Sequence, residues 1–231
     1  MPKEFGAVPW RHHVEIITKC QSVEEALFYV DKVIEEGWSR RRLEDELANN
    51  LYTRRGKAIT NFSNALTLPQ SMLATEMLKD PYTFDFLTLT QGYNEKQLEE
   101  ALAHNITRFL LELGSGFAYV GRQLELRMPN GQSYFPDMVF YHIKMRCYVV
   151  VELKVVEFMP EFAGKLNFYV SAADHLLRSE DDNPTIGLLI CRSKDETIVQ
   201  WSLEEINRPI GVASYQLQEV VDETLRMKLE N

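Results

Sequence analysis

The chain lacks any long apolar run. Its hydrophobic stretches are broken by charges well before the roughly eighteen residues a membrane span requires, and its first twenty residues do not follow the basic-then-apolar order of a signal peptide. These absences lead to the expectation of a cytoplasmic protein with no membrane partner. Cysteine is scarce: Cys20, Cys147 and Cys191 form no CxxC or Cys/His spacing, and an odd count argues against a disulfide framework. There is no glycine-rich phosphate loop, and no serine or cysteine nucleophile with a matching histidine stands out. A basic excess is missing too. The formal net charge is -9, whereas a nucleic-acid binder usually carries a basic footprint.

Charge distribution qualifies that last point. Arg40, Arg41, Arg42, Arg54, Arg55 and Lys57 crowd into the N-terminal quarter. Two readings stay open for them: steering of a phosphate backbone, or a solvated helix face paired with Glu44, Asp45 and Glu46.

At 231 residues and 45% hydrophobic content, the chain has enough material for one sizeable core, or for one domain with an appendage. "PWRHHVEIITKC", "SVEEALFYVDKVIEEGW" and "SRRRLEDELANNLYTRRG" predict three helices, the second opened by a capping box from Ser22 to Glu25 and closed by Gly37, the third running from Ser39 to Gly56. "TNFSNALTLPQ" predicts an irregular link, and "SMLATEMLKD" before Pro81 one short helix. From Asn94 a capped helix with an apolar stripe at Leu98, Leu102, Ile106, Phe109, Leu110 and Leu113 precedes three strand-like runs, "FAYVGRQLELRM", "SYFPDMVFYH" and "RCYVVVELKVV". A helix, "PEFAGKLNFYVSAADHLLRS", a strand, "TIGLLICRS", an ambiguous "TIVQWSL" and a last strand, "GVASYQL", follow. The expected organisation is a helical subdomain over 1–60, a linker with a short helix over 61–93, an α/β (α+β) domain over 94–218, and a C-terminal helix or tail over 219–231.

The chemistry concentrates in "FPDMVFYHIKMRCYVVVELK". If the second and third strands form a hairpin centred between Lys144 and Met145, Asp137 stands opposite Glu152 on one face, with Cβ atoms about 4.5–5.5 Å apart. Opposed like charges destabilise a strand pair, so the site needs a cation or a shifted pKa. Mg²⁺ suits that demand, because it takes one or two carboxylates and fills its other positions with water and phosphate oxygens. Lys154 lies two residues beyond Glu152 on the same strand face, where an ammonium can orient a metal-bound water and neutralise charge on a phosphate under attack. A one-residue slip in register would separate the acids onto different faces.

At these residues the chain resembles the PD-(D/E)xK nuclease superfamily, with Pro136-Asp137 as the first element and Glu152-Leu153-Lys154 as the second. More narrowly, it is similar to the YhcG-type family of bacterial nuclease-domain proteins in "PWRHHVEII", "EEGWSRRRLE", "RRGKAITNF", "LKDPYTFDFL", "LLELGSGFAYVGRQ", "GKLNFYVSAADHLLR" and "DDNPTIGLLICRSK". Members usually carry a further helical domain before "PWRHH", and this chain is expected to lack it. The resemblance implies a restriction-endonuclease-like mixed sheet flanked by helices, and Mg²⁺-dependent hydrolysis of phosphodiester bonds in DNA repair, recombination or restriction-like defence, with Mn²⁺ as a substitute ion. DNA is the implied partner, RNA is not excluded, and a homodimer or a separate partner protein remains open. It also implies a further acid from the helix before the strands, best matched by Glu99 with Glu100 as the close alternative, so that Asp137, Glu152 and Glu99 would hold the ion. Gln123 is expected to approach the site from the first strand. Lys165 and Tyr169, spaced i and i+4 where related nucleases often carry Gln and Tyr, are expected to touch a DNA phosphate. The alternative is a catalytically silent nucleic-acid-binding or assembly module on the same fold.

Overall fold

The computed structural model describes residues 6–218. The C-terminal helix or tail expected over 219–231 lies outside them. Two compact units divide at Arg55/Gly56.

The first unit is helical: α1 (Trp10–Lys19), α2 (Val23–Glu36), α3 (Arg40–Ala48) and α4 (Leu51–Arg54). Ile16, Tyr29, Val30 and Leu43 form its fully buried centre. Ser22 caps α2 by accepting from the Glu25 amide at 3.1 Å, but the Glu25 carboxylate accepts from Gln21 N rather than from Ser22, so the expected capping box is only half formed. Gly37 closes the helix with φ 64°, a left-handed conformation that glycine adopts without steric cost. The single helix expected from Ser39 to Gly56 is interrupted, because Asn50 takes a left-handed conformation with φ 50°. Asparagine tolerates that conformation better than most residues.

The second unit begins with β1 (Ile59–Thr60), α5 (Phe62–Ala65), α6 (Leu68–Met77) and β2 (Tyr82–Thr83). Residues 61–93, expected as a linker with one short helix, are therefore built into the packed unit, with Phe62, Ala74, Leu78, Tyr82 and Phe84 fully buried in its core. Two-residue strands carry too little alternation to register as strands in a sequence pattern.

Beyond them come α7 (Glu95–His104), α8 (Ile106–Leu113), β3 (Phe117–Arg122), β4 (Leu126–Arg127), β5 (Ser133–Tyr134), β6 (Met138–His142), β7 (Cys147–Glu157), α9 (Pro160–Leu176), β8 (Ile186–Ser193), α10 (Glu196–Glu204) and β9 (Ile210–Gln216). The capping box at Asn94 and Gln97 is present in full. The predicted continuous helix breaks at Asn105, whose side-chain amide donates to the Ala101 carbonyl and competes with the helical ladder. "TIVQWSL" forms α10, capped by the Asp195 carboxylate on Ile198 N, so the order after α9 is strand, helix, strand.

Among the described residues the main sheet runs β1-β9-β8-β7-β6-β3. β3, β6 and β7 pair antiparallel, β7, β8 and β9 parallel, and β1 and β2 both pair with β9. β7 is apolar on both faces because both are covered. Val149, Val151 and Leu153 pack in one cluster with Leu98, Leu102, Phe109 and Leu113 of α7 and α8, while Val150 packs in another with Leu166 and Val170 of α9 and Val199 of α10. This is a mixed sheet flanked by helices, as expected. No described helix is long and apolar enough to cross a membrane.

Candidate active site

β6 and β7 pair in the predicted register, with His142 opposite Cys147 and Met138 opposite Val151. One further step brings Asp137 and Glu152 together just where β6 begins. The Asp137 amide donates to Glu152 Oε1 at 3.3 Å, and Asp137 Oδ2 accepts from Leu153 N at 2.8 Å. Two carboxylates thus sit on adjacent strand segments, each tied to the other segment's backbone end of the ladder. Pro136 precedes them and cannot donate a ladder hydrogen bond, which fits the interruption between β5 and β6.

Glu152 is almost wholly buried, and burial together with the Asp137 charge pushes its carboxyl up to about 7. Burial also raises Asp137, opposed chiefly by the Leu153 amide. Cations partly offset this cost. Lys165 Nζ lies 2.8 Å from Glu152 Oε2 and over the ring of Tyr169, its neighbour one helical turn on. Burial alone would lower Lys165, but the Glu152 carboxylate outweighs it and holds the ammonium above its usual value. Lys154 Nζ lies 4.0 Å from Glu152 and over the Phe162 ring.

Lys154 has a closer partner that the sequence reading missed. Glu95 Oε2 accepts from Lys154 Nζ at 2.8 Å, and the Leu153 carbonyl accepts from it at 3.0 Å. Glu95 opens α7 one turn before Glu99, so the i, i+4 repeat of two acids behind a strong cap was the available signal.

Glu99 is buried and Glu100 exposed, which separates the two alternatives. Glu99 Oε2 accepts from the Gln123 side-chain amide at 2.7 Å, and no group of three or more His, Cys, Asp and Glu side chains that could hold a metal ion occurs among the described residues. Glu99, expected as a third metal ligand, is thus hydrogen-bonded to Gln123. Burial raises its carboxyl above the usual range, with the Gln123 amide opposing. Gln123 follows β3 directly, takes a left-handed conformation with φ 48°, and its backbone N–H donates to the Asp137 carbonyl at 3.1 Å.

The remaining donor set, two carboxylates on neighbouring strands, fits a hard divalent cation that completes its shell with water and substrate oxygens. The buried, mutually repelling pair is also what such an ion would relieve.

Arg40 is paired with Glu15 at 2.8 Å and Glu44 at 2.7 Å. Arg54 is buried and donates through Nε to the Asn49 carbonyl. Arg55 lies over the Phe28 ring, while Arg41 and Lys57 are exposed.

Residues 75–230, more than half of the chain, match the family model described as the YhcG PDDEXK nuclease domain, and residues 2–54 match the DUF1016 N-terminal domain. The chain is 32% identical over 217 residues to YhcG of Escherichia coli (strain K12), whose name ascribes a nuclease activity to it; the match covers 91% of this chain and 56% of that protein, so the chain spans little more than half of its relative's length. Among solved structures, a repair endonuclease from Pyrococcus abyssi is similar with TM-score 0.36 and 17% identity, over 56% of this chain and 50% of that one. A complex of EndoMS with double-stranded DNA is similar with TM-score 0.38 and 18% identity, over 59% and 48%. Nothing about the site is inferred from these two likenesses. Together with the Pro-Asp and Glu-x-Lys elements meeting at the mouth of one hairpin, the match over residues 75–230 means that the chain belongs to the YhcG family of PD-(D/E)xK nuclease-domain proteins.

Proposed function

We propose that the protein is a divalent-metal-dependent nuclease that hydrolyses phosphodiester bonds in DNA, with Mg²⁺ as its ion and Mn²⁺ as a substitute. The observation that carries this reading is the convergence of Asp137, Glu152 and Lys154 within one hairpin mouth, where Glu152 is buried and Lys154 lies 4.0 Å from it. Asp137 and Glu152 would hold the cation, which when bound supplies electrostatic stabilisation of charge developing on the phosphate.

Lys154 orients the attacking water and offsets negative charge at the reacting phosphorus. Glu95 holds the Lys154 ammonium at 2.8 Å, so that it does not collapse fully onto Glu152. Lys165, half-exposed beside Glu152, contacts a non-bridging phosphate oxygen with Tyr169 behind it. Gln123, fixed by Glu99, is a polar contact to the strand being cut. Arg41 and Lys57 add sequence-independent attraction to the backbone.

The test is cleavage of linear, circular and branched DNA with Mg²⁺ or Mn²⁺, comparing wild type with Asp137→Ala and Lys154→Ala. Metal-dependent cutting that falls at least about 100-fold in both variants is expected. Cutting that survives both substitutions, or no cutting of any substrate, would overturn the assignment.

A further inference from the structure

Beside the carboxylates lies a set of rings that the chemistry above does not use. Tyr134 of β5 packs edge-on against Phe168 of α9, with centroids 4.7 Å apart, and Phe168 in turn lies 6.1 Å from the ring of Tyr169. Phe168 is nevertheless 40% exposed, and Phe135, the residue after Tyr134, is 44% exposed. Both lie close to site residues along the chain. Phe135 stands two residues before Asp137, and Phe168 three residues after Lys165, whose ammonium lies over Tyr169.

Large apolar rings left open to water are individually unremarkable. The placing of Phe168 beside a ring that carries an ammonium, at the edge of the proposed phosphate-cutting site, is more informative. Proteins that hold single strands combine cationic contacts to the backbone with aromatic faces on which bases stack, and such stacking tolerates any base because every base has a π-face. A duplex keeps its bases stacked on each other and offers mainly phosphates and groove edges. The anchoring of Phe168 by Tyr134 also limits the side-chain entropy lost when a base covers it.

We propose that Phe168, braced by Tyr134, forms a stacking platform for unpaired bases next to the scissile phosphate, with Phe135 as a second ring farther along the bound strand. The preferred substrate is then single-stranded DNA, or a single-stranded arm of branched DNA. This rests on the nuclease reading for its position beside the reacting phosphate, but the platform itself is a binding surface. It can be measured without turnover.

The test is equilibrium binding, in a metal chelator, of a fluorescein-labelled 20-nucleotide single strand and of the matching duplex. Wild type is compared with Phe168→Ala, Phe168→Trp and Phe135→Ala. Wild type is expected to prefer the single strand. Phe168→Ala should weaken single-strand binding by about 5- to 150-fold, the range that corresponds to about 1–3 kcal/mol per stacked base, and should leave duplex binding within about twofold. Phe168→Trp, which keeps a ring, should restore the affinity, and Phe135→Ala should lower it. Equal single-strand affinity in wild type and both alanine variants, or tighter binding of the duplex by wild type, would overturn the proposal. Cleavage assays fail separately: a protein that grips single strands through Phe168 but cuts nothing would sink the nuclease reading alone.

Discussion

Glu152 carries the most consequential charge in the chain, because it is buried, opposed by Asp137 and raised to about 7. A metal ion binds the carboxylate, not the acid, so proton and metal compete for the same oxygens. Mg²⁺ or Mn²⁺ affinity, followed by calorimetry, should therefore rise about tenfold per pH unit below about 7 and flatten above it. The stability of the metal-free fold should run the other way. A carboxyl whose folded pKa lies above its unfolded value near 4.5 binds more protons when folded, so stability falls as pH rises from that value through about 7. Glu152→Gln should remove that slope in chemical denaturation across the same range. An affinity independent of pH between 5.5 and 7 would mean that Glu152 is not a ligand. At this scale the sequence carried the identities of Asp137, Glu152 and Lys154 but not their hydrogen-bond partners. Which oxygen meets Lys165, and that Glu99 turns to Gln123 while Glu95 meets Lys154, depends on where α7 and α9 lie against the sheet. No periodicity encodes that placement.

The element that sets the placement of Lys165 and Phe168 is α9, and it sits against β8 at a glycine. A Cβ added to Gly187 would lie 2.8 Å from Val170 Cγ2 and 2.9 Å from Leu166 Cγ. Those side chains are fully buried. Gly187→Ala should cost about 1–3 kcal/mol, read from denaturation midpoints, and should lower cleavage further by shifting the helix off the sheet. Unchanged stability would mean that the contact of α9 with β8 at Gly187 is not tight. The α9 and β8 spans were legible in the sequence, as was the β6–β7 register, because a strong apolar pattern and an even loop leave few alternatives. Other elements were not. β1 and β2 are two residues long, and the break between α7 and α8 comes from one asparagine side chain inside an otherwise continuous stripe. "TIVQWSL" carries β-branched residues and an aromatic ring, and only the Asp195 cap distinguishes it as helix.

For the whole molecule, every proposed catalytic residue lies in the second unit, from Gly56 onward. A chain covering residues 56–231 should therefore retain metal-dependent cleavage, with a kcat within about tenfold of the full chain if it folds to the same circular dichroism spectrum. Loss of cutting by a well-folded fragment would assign part of the chemistry to the first 55 residues. The overall charge of -9 did not predict this division of labour, because it sums surface acids with the few cations that line one hairpin mouth. That mouth has one more property. The hydrogen bond from Gln123 N to the Asp137 carbonyl closes the base of the segment 124–136, whose two short strands fold back on each other before the chain returns to the sheet. The segment is thus a cassette with a locked hinge pin: laboratory grafting of longer or differently shaped fingers between Gln123 and Asp137 should leave the Asp137–Glu152 pair in register.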